Sequence, residues 1–249
     1  MPKQSIQVYM VVAGDYHDMD YARLELLKLL AENERVRVHV AENYHDLDSI
    51  NACDWLMTYT CNYAPEKREQ EALRDFVAGG KRWFALHGTN SILGFLEDGR
   101  VDSPETEPVL METLGTQFIA HPPIQPFKVQ VADAEHELVK GIDEFETDDE
   151  LYLSRVHGPL HTLLDTRYVG KAAGFVEEDW DEDVSHPVYY IKQVGAGEVL
   201  YLNLGHCRGH YDMQPLMDYY PNIERGSWKR PEYYELLRRG IDYCVRGVA

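Results

Sequence analysis

The chain lacks the long apolar run that a membrane-spanning helix needs. No stretch of about 18 consecutive apolar residues occurs, so the sequence predicts no transmembrane helix. Residues 1–5 lead directly into a strand-like segment, and this start has none of the features of a signal peptide. We therefore expect neither a membrane span nor a secretory leader.

Cysteine is scarce, and no two cysteines form a CxxC pair. The four that occur are widely spaced, at Cys53, Cys61, Cys207 and Cys244. This spacing argues against a disulfide framework and against a CxxC-based metal or redox site. Free thiols are typical of the reducing cytoplasm, which is the expected location.

Positive charge is also in short supply. Lys and Arg number 24 against 43 Asp and Glu, which gives a formal net charge of −19. A surface of this sign repels phosphate backbones and anionic lipids, so nucleic acid and membranes are not expected partners. The composition leaves a homo-oligomer open.

No internal repeat, low-complexity linker or local metal motif such as HExxH is present. The chain does have 249 residues with 44% hydrophobic content, enough for one sizeable core. We therefore interpret residues 1–249 as a single domain.

Strand and helix patterns alternate through the first third of the chain. Strands are predicted at 6–13, 35–41, 54–59 and 83–86, with one helix after Asp20 and another over 66–78. Such alternation at short spacing predicts an α/β fold with a parallel sheet covered by helices on both faces.

The second part of the chain is less regular. Residues 97–108 and the acidic stretch 177–185 are predicted loops, and a short helix is expected over 109–114. Further strands are predicted at 127–131, 150–155, 169–176, 188–194 and 198–204, with a hairpin around 195–197. The last helix is predicted over 231–246.

His87 occupies an informative place in this pattern. It follows a hydrophobic strand and precedes Gly88, an order that predicts a strand, a sharp turn and the start of a helix. A side chain at such a turn points into the cleft, as in the nucleophile elbow of hydrolases. An imidazole at that position can move protons or bind a metal, but it is a less usual covalent nucleophile.

Other polar residues also follow predicted strand ends. If the sheet is parallel, they gather at one edge, where open α/β sheets bind ligands. The alternative to a ligand-binding role is a structural one, in which each is a hydrogen-bonded residue or part of a capping loop. The residues concerned are Asp15, Tyr16, His17, Thr60, Cys61, Asn62, His87, Gly205 and His206.

A run of three carboxylates, Asp148 to Glu150, precedes a predicted strand. Such a run is commonly a solvated turn. Alternatively, the strand holds one carboxylate, Glu150, inward as a general base or metal ligand. Histidine and carboxylate together are the usual ligands of zinc or a similar divalent ion.

The ordered set of motifs resembles the ThuA-like (trehalose utilisation) family, within the superfamily that has the class I glutamine amidotransferase fold. The resemblance runs from the first strand to the final helix. It departs from the family pattern at Glu137, where proline is usual, and at the acidic insertion 177–185. The matching stretches are 14–18, 79–88, 114–115, 121–122, 136, 141–142, 149–152, 187–188 and 197–206.

This resemblance implies a flavodoxin-like three-layer α/β sandwich with a mostly parallel central sheet. It also implies that His87 occupies the elbow position that holds the catalytic cysteine in true amidotransferases. Since neither Cys53 nor Cys61 lies at that elbow, the chain is not expected to hydrolyse glutamine through a thiolate. The family association points instead to sugar metabolism, including trehalose and keto-glycosides.

Two main functional hypotheses follow. The first is a carbohydrate-active enzyme (an isomerase, oxidoreductase or hydrolase) that acts on a small sugar, disaccharide or keto-glycoside. The second is a non-catalytic sugar- or metal-binding protein on the same fold. For the first, the predicted catalytic residues are His87, Glu150 and His206, the predicted ligands of a divalent metal such as zinc are His17, His87 and His206, and the predicted substrate contacts are Tyr16, Asn62, Tyr152 and Trp180.

Overall fold

A nine-stranded sheet is the main element of the computed structural model, which describes residues 4–248. The helices are α1 (Met19–Leu30), α2 (Leu47–Ala52), α3 (Lys67–Ala78), α4 (Pro108–Leu114) and α5 (Pro231–Arg246). The strands are β1 (Ile6–Gly14), β2 (Val36–Ala41), β3 (Trp55–Cys61), β4 (Arg82–Leu86), β5 (Gly94–Phe95), β6 (Val101–Asp102), β7 (Thr116–Ala120), β8 (Phe127–Val131), β9 (Phe145–Thr147), β10 (Leu153–Val156), β11 (His161–Arg167), β12 (Gly170–Lys171), β13 (Asp179–Trp180), β14 (Ser185–Val194) and β15 (Gly197–Leu202).

One half of the sheet is parallel, as the alternation of strands and helices predicted. The strand order is β2-β1-β3-β4-β15-β14-β11-β8-β9. The pairs β1–β2, β1–β3, β3–β4 and β4–β15 are all parallel. The carboxyl ends of β1, β3, β4 and β15 therefore lie along one edge of the sheet.

The other half of the sheet is antiparallel. The predicted hairpin is present, with β14 and β15 pairing from Val194 and Gly197 outward. Beyond it, β11 pairs with both β14 and β8 in antiparallel fashion. Strand β11 had no clear signal in the sequence, and β-bulges interrupt its pairing with β14.

Side chains of β1 alternate between two hydrophobic cores, one on each face of the sheet. Val8 and Met10 pack in the core that receives α1 and α5. Tyr9 and Val11 pack in the core that receives α2, α3 and α4. Because successive side chains of a strand point to opposite faces, a strand buried on both faces reads as a continuous apolar run. The helix, sheet and helix layers form the α/β sandwich that was expected.

Several local predictions were wrong, including the strand predicted from residue 150, which begins at Leu153. His87 begins a single 3₁₀ turn that ends at Asn90, and no α-helix follows it. The strand predicted over 169–176 is reduced to the two residues of β12. The helix α1 is capped by Asp18, whose carboxylate accepts a hydrogen bond from the Tyr21 N–H, and Asp20 lies in its first turn.

No helix within the described part of the chain is long and apolar enough to cross a membrane. The four cysteines are unpaired and buried. Burial raises the pKa of the Cys61 and Cys207 thiols.

The close approach of α5 to β4 gives a test of the core. A Cβ atom added at Gly240 would lie 2.4 Å from Cε1 of Phe84, which is fully buried. We expect Gly240→Ala to destabilise the protein by about 1–3 kcal/mol, as overpacked cores do. Helix propensity alone predicts the opposite sign, a gain of about 1 kcal/mol. Chemical denaturation distinguishes the overpacking effect from the helix-propensity effect. A higher free energy of unfolding in Gly240→Ala than in the unmodified chain would contradict the expected overpacking against Phe84.

Candidate metal centre and its cavity

Four buried side chains converge at the carboxyl edge of the parallel strands. His17, His87, Glu150 and His206 each offer one donor atom, and these atoms all lie within 4.8 Å of one another. The Nε2 atoms of His17 and His87 are 2.8 Å apart. Glu150 Oε2 lies 3.6 Å from the first of these nitrogens and 3.5 Å from the second. The sequence had predicted this convergence for all four.

The three histidines reach the cluster from the ends of parallel strands. His17 follows β1, His87 follows β4 and His206 follows β15. Glu150 comes from the segment between β9 and β10. The cluster thus joins parallel strand ends to a connection that lies outside the parallel half.

Backbone strain marks the same edge. Within the described chain, positive φ outside glycine occurs at Tyr16 (68°), Asn62 (52°) and His87 (44°). These three residues follow β1, β3 and β4. Non-glycine residues in this region cost about 1–3 kcal/mol each and cluster at functional sites.

The outer contacts of His17 and His87 fix which ring nitrogen carries the proton. Nδ1 of His87 lies 2.9 Å from the carbonyl oxygen of Asn203, and Nδ1 of His17 lies 3.3 Å from that of Asp15. A carbonyl oxygen only accepts, so each Nδ1 is the donor. In the neutral form of each ring, Nε2 then keeps its lone pair, and the two lone pairs face each other across 2.8 Å.

His206 is oriented in the same way by a carboxylate. Its Nε2 lies 2.8 Å from Glu224 Oε2 and donates to it. Its Nδ1 lies 3.2 Å from Glu150 Oε1, with no hydrogen-bond partner among residues 4–248. This nitrogen faces Glu150 within the cluster, and it becomes a metal donor only when its proton is displaced.

Electrostatics act differently on the members of the cluster. Burial lowers the pKa of His17 to about 3, so this ring is neutral near pH 7. Burial alone would raise the pKa of Glu150, but His206 and His121 hold it well below its usual range. Burial opposes protonation of His206 as well, yet Glu150 and Glu224 raise its pKa to about 9.

The donor set fits a divalent cation. Facing lone pairs repel unless a cation lies between them, and three imidazole nitrogens with one carboxylate oxygen match the preference of zinc. Zinc bonds of about 2.0 Å in a tetrahedron separate the ligand atoms by roughly 3.3 Å. Hydrogen bonds from the far ring nitrogens to carbonyl or carboxylate oxygens are typical of metal-ligating histidines.

Asp149 anchors this arrangement. Its buried carboxylate accepts hydrogen bonds from four backbone N–H groups, those of Glu150 at 2.8 Å, Gly205 at 2.9 Å, His206 at 3.0 Å and Ser227 at 2.8 Å. It thereby ties the Glu150 segment to the turn that carries His206. By contrast Asp148 is exposed and lies 3.7 Å from Lys229.

A cavity of about 140 Å³ opens beside the cluster. Tyr16 and Tyr152, two of the predicted substrate contacts, line it together with His17 and Glu150. The hydroxyl of Tyr152 lies 3.3 Å from Nε2 of His87.

The other two predicted substrate contacts lie outside this lining. The Asn62 amide oxygen accepts from the Leu93 N–H at 2.9 Å, so this side chain holds the loop behind the cavity wall. Trp180 donates its indole N–H to the Glu177 carbonyl and packs edge-on against His186. The structure does not bring Asn62 or Trp180 to the cluster.

Four polar residues near the cluster were not among the predicted site residues: His121, Asp149, Arg208 and Glu224. Nε2 of His121 lies 3.7 Å from Glu150 Oε1, and Arg208 Nη2 lies 3.4 Å from the same oxygen. Asp149 precedes Glu150 directly. The hypothesis that one carboxylate of this run points inward named Glu150 and did not name Asp149. Glu224 lies in an irregular segment and carries no local signal.

The comparison with family models identifies one family. The sequence profile of the family described as ThuA, trehalose utilisation, matches residues 6–222. A ThuA-like protein from Bacteroides uniformis has a similar structure, with a TM-score of 0.65 and 16% identity over 99% of this chain and 91% of that chain. A ThuA-like protein from Parabacteroides merdae also has a similar structure, with a TM-score of 0.63 and 16% identity over 98% of this chain and 91% of that chain.

A β-galactosidase from Rahnella sp. R3 shares the fold at a TM-score of 0.59 and 12% identity. The match covers 99% of this chain but 32% of that enzyme. A search of curated proteins found no significant match. Identities this low show the fold alone.

Proposed function

Because the chain belongs to the ThuA (trehalose utilisation) family, we propose that it acts on a sugar derivative at a divalent-metal centre formed by His17, His87, Glu150 and His206. The observation that carries the proposal is the pair of Nε2 atoms 2.8 Å apart, each left with a lone pair by its outer hydrogen bond. Zinc is the ion that best suits these nitrogen and oxygen donors.

When bound, zinc supplies a Lewis acid that polarises a carbonyl or hydroxyl oxygen, or lowers the pKa of a coordinated water. The surrounding residues bind and orient the substrate. Nδ1 of His121 donates to the Pro122 carbonyl at 2.8 Å, so in the neutral ring Nε2, which lies 3.7 Å from Glu150 Oε1, can accept a hydrogen bond from a substrate hydroxyl. Burial raises the pKa of Tyr152, so its phenol stays protonated and can donate to a substrate oxygen.

Metal removal and return test the centre itself. The full-length protein is stripped with EDTA and titrated with zinc chloride, with magnesium chloride as the control cation. We expect one zinc per chain and stabilisation of about 2.7 kcal/mol when free zinc reaches 100 times its Kd. A melting curve that zinc leaves unchanged, together with no heat of binding, would refute the metal centre.

Turnover tests the carbohydrate assignment. Zinc-loaded protein is assayed on disaccharides and keto-glycosides, together with the variant His121→Gln. Loss of the proton-accepting Nε2 should lower kcat by about 10²- to 10⁴-fold, the usual contribution of a positioned acid or base, while the zinc content stays the same. Sugar binding without turnover by either protein would favour the non-catalytic alternative.

A further inference from the structure

The cavity beside the cluster changes in character from its base to its mouth. At the base lie His17 and Glu150, which carry the donor atoms. The mouth has two exposed apolar side chains, Phe95 at 42% exposure and Leu216 at 50%. Phe95 ends strand β5 and Leu216 lies in the irregular stretch after β15, so the mouth is bounded by apolar side chains from two separate segments.

The walls between base and mouth are mostly aromatic and aliphatic. The ring of Phe118 lies 5.8 Å from that of Phe175, and the ring of His121 lies 5.0 Å from Phe175. Among polar wall residues, Ser91 is buried and its hydroxyl has no hydrogen-bond partner within residues 4–248. The remaining wall side chains include Leu93, Val101 and Met213.

Arg208 supplies a guanidinium to the cavity wall, and its N–H donors already contact protein oxygens. Its Nε donates to the Tyr16 carbonyl at 2.9 Å, and its Nη1 donates to Glu224 Oε2 at 3.0 Å. Its Nη2 contacts Glu150 at 3.4 Å. With both carboxylates beside it, the guanidinium has little capacity left for a phosphate or carboxylate of a ligand.

Size and polarity together restrict the ligand. A cavity of about 140 Å³ is smaller than the roughly 300 Å³ at which pockets for drug-sized ligands begin. A second sugar ring at the mouth would place hydroxyls against Phe95, Leu216 and their neighbours. A buried hydroxyl that loses its partners is strongly disfavoured, whereas an apolar group gains from leaving water.

Resting on the metal-centre function above, we infer that the substrate is an uncharged glycoside with an apolar aglycone. Its oxygen-bearing sugar part faces the His/Glu cluster and the Ser91 hydroxyl. Its aryl or alkyl group lies between Phe95 and Leu216 at the mouth. The chain is thereby specific for glycosides of apolar alcohols over disaccharides and sugar phosphates.

Calorimetry on the zinc-loaded full chain tests this specificity with four probes: methyl glucoside, phenyl glucoside, trehalose and glucose 6-phosphate. Phenyl glucoside should bind at least about tenfold more tightly than methyl glucoside, because the ring removes apolar surface from water. Trehalose and glucose 6-phosphate should bind more weakly than phenyl glucoside.

Matched variants locate the aglycone. Phe95→Ala and Leu216→Ala should reduce the phenyl-to-methyl preference to about threefold or less, because each weakens the binding of phenyl glucoside more than that of methyl glucoside. Their neighbours Leu96 and Met217, exposed at 41% and 44% but outside the cavity lining, provide the controls Leu96→Ala and Met217→Ala. Both controls should keep the full preference.

Each outcome separates this inference from the function on which it rests. Equal binding of phenyl and methyl glucosides, tighter binding of trehalose, or equal losses in variants and controls would overturn the apolar aglycone while leaving the metal centre intact. Failure of zinc to bind, with the phenyl preference preserved, would overturn the metal centre alone. If zinc binds but no glucoside does, the sugar assignment and this inference both fail.

Discussion

His87→Ala is expected to reduce zinc affinity by more than about 100-fold and to remove turnover. Loss of an outer hydrogen-bond partner of a metal ligand already costs about 10- to 100-fold, and His87 is itself a donor whose Nε2 lies 2.8 Å from that of His17. In the absence of zinc, the substitution should cost little electrostatic stability, because it removes the repulsion between the two facing Nε2 lone pairs. Calorimetric zinc titration and the sugar assay measure both effects.

The control for His87 is His39→Ala, which removes an exposed imidazole stacked on Tyr9 at 4.7 Å. It should leave zinc binding and turnover at the level of the unmodified chain. If His87→Ala binds zinc as tightly as His39→Ala does, His87 is not a ligand, and the centre needs another donor set.

Asp149→Asn is expected to lower the free energy of unfolding by about 3–6 kcal/mol. An amide keeps one accepting oxygen, so two of the four backbone N–H groups now bound to the carboxylate would face an NH₂ group. Hydrogen bonds to a charged group contribute about 1.5–3 kcal/mol each. Since a domain is stable by only about 5–15 kcal/mol, the variant should melt far below the unmodified chain or fail to fold.

Asp148→Asn supplies the matched control one residue away. Its carboxylate is exposed and its contact with Lys229 is 3.7 Å long, so the change should stay within about 0.5 kcal/mol. Urea denaturation of both variants measures the difference. Equal stability of the two would mean that the Asp149 carboxylate does not hold the Glu150 and His206 segments together.

The edge of the sheet that carries the cluster could be predicted because it depends on local pattern. Apolar runs placed β1, β3, β4 and β15, and the residues after each run had to lie at their carboxyl edge. His17, His87 and His206 were found in this way. Glu150 was reached only through its place before a strand, and that strand begins later, at Leu153.

The remainder depends on contacts that no local pattern records. The proton positions on His87 and His206 are set by Asn203 and Glu224, and nothing in the spacing of these residues announces that role. Trp180 was predicted to contact the substrate because indoles on loops can stack on sugars, but its position is fixed by packing on His186. Strand β11 was missed because its bulged pairing breaks the period-2 pattern on which strand prediction rests.

The distance along the chain between the clustered side chains bears on how the protein folds. His17 and His87 are 70 residues apart, and the carboxylate of Asp149 meets the His206 backbone across 57 residues. Closing such long loops is slow, and an unfolded chain offers no preformed set of donors. Zinc should therefore leave the refolding rate nearly unchanged and act chiefly by slowing unfolding. The ion would bind only after the chain has folded, and it would then stabilise the native state.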